Sequence, residues 1–377
     1  MNNLLTIPPL SLYIHYPWCL KKCPYCDFNS HEGEVKTGYI NALIEDLEGD
    51  LKYVQNRAVE SIFIGGGTPS LMSTEDANNL IDGLKERLTF SDNVEITMEA
   101  NPGTFEVEKF AEFRNIGINR LSIGVQSFED RQLKFLGRVH SSNEAINAIT
   151  EAQRVGFKNL NIDLMYGLNG QSIDMCIEDL NKAIELNPSH ISFYQLTLEP
   201  NTLFSKFPPR LPSEEVIWEM GEKGANLLNK KGFRQYEVSA YSTTPSIHNL
   251  NYWTFGDYIG IGAGAHGKIT DMNTHQIFRT LKRKSPNEYL LSFKKNKKTS
   301  RIKMVDSLSF EFMLNGLRLI DGFDSGLYES RTGLSIESVR SQIIKAEKLN
   351  LLDTRDNRIK PTKSGYSFLN ELQEIFL

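Results

Sequence analysis

Six short runs rich in β-branched and aromatic residues, each followed by a stretch with helical spacing, limit this chain to few architectures. The runs are SLYIHY (11–16), SIFIGGG (61–67), VEITMEA (94–100), RLSIGVQ (120–126), NLNIDLMYG (159–167) and HISFYQL (190–196). The spacing after them predicts helices over 38–56, from about 73, over 107–115, up to about 155, over 172–186 and over 213–230. Strands that alternate with helices pair in parallel through crossover connections. Six units rather than eight predict an α/β fold of the partial (β/α)6 barrel type, open on one side. Functional residues in such barrels gather where strands end and loops begin.

Polar and glycine residues fall in those places. Gly65-Gly66-Gly67-Thr68-Pro69 closes the second run, Glu99 before Asn101-Pro102 closes the third, Gln126 closes the fourth, and Asp163 lies in the fifth. Each has a plain alternative, because glycine makes turns, Asn-Pro starts them, and a strand-end carboxylate can cap the next helix. Together they suit a polar, nucleoside-like ligand. Glycines let backbone approach it, carboxylates accept from ribose hydroxyls, and an amide side chain adds further bonds.

On the same rim, CLKKCPYC places Cys19, Cys23 and Cys26 within eight residues; the fourth cysteine, Cys176, lies about 150 residues on, in a predicted helix. Clustered cysteines in a reduced compartment hold metal more often than they form disulfides. Structural zinc wants four ligands, usually as two separated pairs, and only His15 or His31 could complete that set. Three thiolates on one loop also suit a cubane iron–sulfur cluster with one iron left open.

The spacing Cys19-x3-Cys23-x2-Cys26, with Tyr25 before the third cysteine, resembles the signature of radical S-adenosylmethionine (radical SAM) proteins, as do GGGTP and Glu99-Ala-Asn-Pro. In that family the open iron chelates the methionyl amino and carboxylate groups, and an electron from the cluster cleaves the sulfonium. LYIHYPWC, GGGTPS, RLSIGVQSF, LGRVH and NIDLMYGL extend the resemblance along nearly the whole chain. They point to the branch that holds oxygen-independent coproporphyrinogen III oxidase and the HemW-type haem chaperones. The resemblance implies a [4Fe–4S] cluster on Cys19, Cys23 and Cys26. It places Tyr13, Gly66, Gly67, Thr68, Glu99, Gln126, Arg138 and Asp163 around S-adenosylmethionine. Tyr25 is an aromatic able to cover the adenine. Arg138, read as helix-borne, rests on its place in the family pattern, since such an arginine is commonly a solvated surface group.

Two departures separate the chain from the oxidases. Phe28 stands where they carry a further cysteine, and the first strand begins by about residue 11 without their longer leading segment. Both are the chaperone pattern. So is HNLNYW, His248 to Trp253, which resembles the HNxxYW motif whose histidine is implicated in haem binding. His248 with Tyr252 and Trp253 offers an axial nitrogen and apolar walls, although a lone histidine can as well cap a turn. His266, in the small-residue run FGDYIGIGAGAHG, is expected to be structural.

These features divide the chain into 1–285, a radical-SAM partial barrel with a haem-binding segment at 248–267, and 300–377, a small domain. In the latter, helices over 307–319, 335–349 and 364–376 with an LLDT…RIKP hairpin outline a winged helix. Its candidate recognition helix, SIESVRSQIIKAEKLN, is mixed in charge, so nucleic-acid binding is not supported. The basic stretch 279–303 reads as a solvated linker, with a docking surface for an acidic partner or anionic lipid as the sharper option.

With 377 residues, 40% apolar and 24% charged, and a net charge of −5, the chain has no whole-protein footprint for nucleic acid or anionic membrane. Its start lacks the features of a signal peptide, and no apolar run reaches the roughly 20 residues that span a bilayer. A cytoplasmic protein is expected. The functional expectation is a haem chaperone that binds the cluster, S-adenosylmethionine and haem and passes haem to acceptor proteins, membrane-associated ones among them, with an electron donor for the cluster. The alternatives are an oxygen-independent coproporphyrinogen III oxidase and a zinc-stabilised binding protein.

Overall fold

The computed structural model describes residues 4–295, 300–355 and 358–377, with backbone alone at 104 and 105. The six runs form strands Leu10–Tyr16, Val59–Gly66, Phe90–Ala100, Arg120–Gln126, Asn159–Tyr166 and His190–Gln195. They pair in parallel in chain order. Helices start where a hydroxyl can take up a free N–H: Ser73 accepts from Asp76, Ser172 from Met175, and Ser141 forms a capping box with Glu144. Helices Thr74–Lys85, Ser142–Arg154 and Ile173–Glu185 turn their apolar faces onto the sheet, where Leu80, Ile81, Leu84, Ala148, Ile149 and Leu180 join one large core. The helix expected over 107–115 is two short ones, Thr104–Val107 and Phe110–Ile116, and the second ends at Gly117 with φ +116°.

The sheet continues beyond both ends of the six-strand run. A seventh parallel strand, Asp257–Ile261, pairs with Leu10–Tyr16 on the side away from Val59–Gly66. Antiparallel strands His266–Asp271, Gln276–Lys282 and Ser300–Met304 follow it outward. At the opposite end Ala240–Ser242 and Arg234–Gln235 add to His190–Gln195. The terminal strands do not pair with each other, so the sheet stays open.

The expected linker over 279–303 is therefore a correction. Its described part is a strand, the helix Pro286–Lys294 and another strand, with residues 296–299 outside the described residues. Lys282 is buried within it, its Nζ 2.6 Å from both Asp46 and Asp50 of the first helix. Basic content alone suggested solvent; these two carboxylates make the interior tolerable to a lysine.

A second apolar cluster gathers Phe312, Met313, Phe323, Tyr328, Ile343, Leu352, Leu372 and Phe376, and includes Phe255 from the larger body. Around it lie helices Leu308–Gly316, Ser325–Thr332 and Arg340–Lys348 and a small sheet in which Arg358–Pro361 pairs with Leu352–Asp353 and Phe323–Asp324. The turn of that hairpin includes residues 356 and 357, outside the described residues.

Candidate functional site

At the strand ends a cavity of about 460 Å³ opens beside the cysteine loop. Cys19, Cys23, Cys26, Tyr25, Gly66, Gly67, Thr68, Glu99, Gln126, Arg138 and Asp163 all line it. The fold thus brings together residues spread over about 145 positions of sequence, because parallel strands deliver every C-terminal end to one rim.

Two glycines let the backbone close on the cysteine loop. A Cβ at Gly67 would lie 2.5 Å from the Trp18 carbonyl oxygen, and one at Gly66, whose φ is +117°, 2.5 Å from the His15 ring. The Gly67 and Thr68 N–H groups donate to the Tyr16 and Trp18 carbonyls at 2.7 and 2.8 Å, so the glycine loop is zipped to the segment entering the cysteines.

All four cysteines are free thiols, the three of the loop half-buried and Cys176 buried. Burial pushes the Cys19 and Cys26 thiols up, so a thiolate at either position needs a cation to compensate it. Among the described residues no set of three or more His, Cys, Asp and Glu side chains is arranged to hold a single metal ion. A cubane needs a different arrangement, with each thiolate on its own iron.

Arg138 is a correction: it sits on the loop after helix Asp130–Phe135, not on a helix, and points inward. Its Nη2 donates to the Gly124 carbonyl at 2.7 Å and to Asn101 Oδ1, and Nη1 lies 3.7 Å from Cys23 Sγ. Its Nε–H is buried without a partner among the described residues. Such an orphaned donor fits a ligand oxygen, because leaving it bare costs about 1–3 kcal/mol. Glu99 takes the Gly66 N–H at 2.9 Å on Oε2. Burial, with a smaller contribution from Asp163, raises its carboxyl to about 7. Asp163, likewise pushed up by burial, accepts from Asn161 at 2.8 Å and Ser122 at 3.4 Å. Gln126 holds a left-handed φ of +73° and accepts from the Tyr194 hydroxyl at 2.6 Å. Strain of that kind in a buried non-glycine residue persists where the surroundings fix it.

Lining residues missed from the sequence include Ser122, Asn161 and Ser192. Register explains them. Glu99 sits opposite Ser122, Ser122 opposite Asn161, and Asp163 opposite Ser192 across neighbouring parallel strands. Polar residues at alternate positions of strands buried on both faces were the available signal.

Two expected residues are not in this cavity. Tyr13 lines an adjoining one of about 290 Å³, with His15, Phe28, Gly66, Glu99, Tyr252, Tyr258 and His266. His248 lines neither, being buried at 1% exposure on helix Ile247–Trp253. Its Nδ1 lies 2.8 Å from Ser61 Oγ and its Nε2 2.9 Å from the Tyr252 hydroxyl, with Phe63 stacked at 5.1 Å. Burial, then Arg120, lowers its imidazole to about 3, so it is neutral. His266, expected to be structural, is an exposed residue whose ring makes no hydrogen bond among the described residues and lines the smaller cavity.

Comparison with known proteins accords with this geometry. The radical SAM superfamily model matches residues 13–183, and the HemN C-terminal domain model matches 306–368. The heme chaperone HemW of Escherichia coli (strain K12) is 46% identical over 379 residues, covering 99% of this chain and all of that one. The chain belongs to the HemW family of radical SAM proteins. The HemW of Bacillus subtilis (strain 168) is 33% identical over 97% of this chain and 99% of its own. The solved coproporphyrinogen III oxidase HemN of Escherichia coli, a radical SAM enzyme, superposes with a TM-score of 0.83 at 21% identity, covering 98% of this chain and 90% of that one. That likeness shows the fold. No helix among the described residues is long and apolar enough to cross a membrane.

Proposed function

We propose that this protein is a cytoplasmic haem chaperone on a radical-SAM scaffold. It holds a [4Fe–4S] cluster on Cys19, Cys23 and Cys26, binds S-adenosylmethionine in the cavity beside them, and takes up haem on the 248–267 segment for transfer to acceptor proteins. An electron donor for the cluster and acceptors that include membrane-associated proteins belong to this reading. The observation that carries it is the end-to-end similarity to proteins named heme chaperone HemW, with HNLNYW present here.

The cavity suits the two cofactors. When bound, the cluster supplies an open iron and an electron for the sulfonium. The chain supplies the rest: the partnerless Arg138 N–H for a ligand oxygen, a free Glu99 Oε1 for a ribose hydroxyl, and the Tyr25 ring against a base. Coproporphyrinogen III oxidase activity is supported by shared fold alone, and fold does not carry function.

The test uses anaerobically prepared full-length protein. Cys19→Ala, Cys23→Ala and Cys26→Ala should each lose most iron and sulfide together with the visible charge-transfer absorption. The intact protein should take up added hemin with a Soret shift and release it to an apo-haem protein. Retention of iron and sulfide in the triple variant overturns the cluster assignment. Failure to bind hemin overturns the chaperone reading.

A further inference from the structure

A second cavity lies beside the 248–267 segment. Of about 460 Å³, it is lined by Tyr252, Trp253, Tyr258, His266, Arg279 and Lys303, among others. It adjoins the 290 Å³ cavity, sharing Tyr252, Tyr258 and His266 with it. Their summed space lies on the flank of the cluster site, since Phe28, Gly66 and Glu99 line both the smaller cavity and the cysteine-loop cavity.

We infer that this cleft is the haem site and that His266, not His248, is the axial ligand; the inference rests on the haem-chaperone reading above. An axial ligand needs an accessible lone pair on nitrogen. His248 has none to give: both ring nitrogens are engaged, and the ring is sealed behind Tyr252 and against Phe63. Freeing it would break two buried hydrogen bonds, each worth about 1 kcal/mol net and more when a partner is left bare. His266 stands at the start of strand His266–Asp271, exposed, its ring free of hydrogen bonds among the described residues, at the junction of the two cavities. Burial, then Lys284 and Arg279, lowers its imidazole pKa, which favours the neutral form that binds iron.

The walls and charges fit the same cargo. Tyr252 and Tyr258 meet edge to face at 4.6 Å and, with Trp253, offer aromatic surface to a macrocycle. The Trp253 indole N–H is buried with no hydrogen-bond partner among the described residues, so a propionate that reaches it would satisfy it. Lys303 is exposed and held only loosely, 3.6 Å from Asp306, so a propionate can displace that contact. His248 becomes a positioning residue that fixes the Tyr252 phenol.

The experiment titrates the full-length protein with hemin and reads the Soret band, the electron paramagnetic resonance of the ferric iron and the melting temperature. His266→Ala should melt like wild type, bind hemin at least tenfold more weakly, lose the imidazole-ligated ferric signal and regain it with added imidazole. His266→Gln, which keeps polarity and removes the ligand, should behave alike. His248→Ala should melt lower yet keep the imidazole-ligated signal. Wild-type affinity and spectrum in both His266 variants overturn this site alone. Absence of hemin binding by the wild type overturns the chaperone reading, and this site with it.

Discussion

Glu99 shows how a residue legible in the sequence gains its chemistry from the fold. Its place before Asn-Pro marks a strand end, but the carboxyl raised to about 7 comes from burial. The folded state therefore prefers the protonated form, and the unfolded chain releases its proton near 4.3. Between those values the native state binds more protons, so this group's contribution to stability falls as pH rises from about 4.3 to about 7. Glu99→Gln, able to keep the Gly66 hydrogen bond, should raise the stability of the cofactor-free protein by about 1–2 kcal/mol at pH 8. The gain should vanish near pH 4.5, as measured by urea unfolding at both pH values. An equal gain at the two would show that ionisation is not the cause. S-adenosylmethionine affinity of the reconstituted protein should fall in the same variant, because a carboxylate that accepts from a ribose hydroxyl is lost. The cysteine loop, Gly66, Gly67 and Glu99 were legible because each is a short contiguous motif. The sealing of His248 was not legible, since its partner Ser61 lies 187 residues away in sequence.

At the scale of elements, the six strand–helix units were legible from their alternation, and the seventh parallel strand was not. Asp257–Ile261 lies in the small-residue run FGDYIGIGAGAHG, where Gly260 and Gly262 leave few side chains to show a period of two. The structure gives the reason for them: a Cβ at Gly260 would lie 1.8 Å from the His266 carbonyl oxygen, and Gly262 has a φ of +104° against the His15 carbonyl. Likewise the basic run after 276 concealed a strand, since Lys282 points inward to partners more than 230 residues earlier. Lys282→Met should cost about 3–5 kcal/mol at pH 8, because it leaves Asp46 and Asp50 charged and buried. Without the ammonium the native state holds those carboxyls protonated to higher pH than the unfolded chain does. The loss should then shrink as pH falls toward 5. Lys282→Met combined with Asp46→Asn and Asp50→Asn should recover part of it. A loss independent of pH in denaturant unfolding would mean that packing, rather than charge, binds this strand to the first helix.

For the molecule as a whole, the large sheet and the small C-terminal body meet at Phe255. This residue follows helix Ile247–Trp253, adopts a φ of +56°, and is buried at 1% exposure in the core of the small body. There it packs edge to face on Phe312 at 5.6 Å, while Lys268 of the large sheet lies over its ring and bonds its carbonyl at 3.0 Å. Arg331 to the Thr254 carbonyl and the Thr6 N–H to the Ser330 carbonyl tie the same seam. Leu314 and Asn315 of the small body join Tyr252 and Trp253 in lining the second cavity, so that cleft exists only where the two cores touch. Ligand sites commonly lie at such junctions. Phe255→Ala should remove about 3–5 kcal/mol, the cost of emptying a buried aromatic site. Because the ring belongs to both bodies, amide protection should fall together in helix Leu308–Gly316 and helix Ile247–Trp253. Hemin affinity should drop while the iron and sulfide content of the reconstituted protein stays at its wild-type level, since Phe255 does not line the cavity beside the cysteine loop. Hydrogen exchange confined to the small body, with hemin binding unchanged, would show instead that the two bodies melt independently and that the cleft does not depend on their seam.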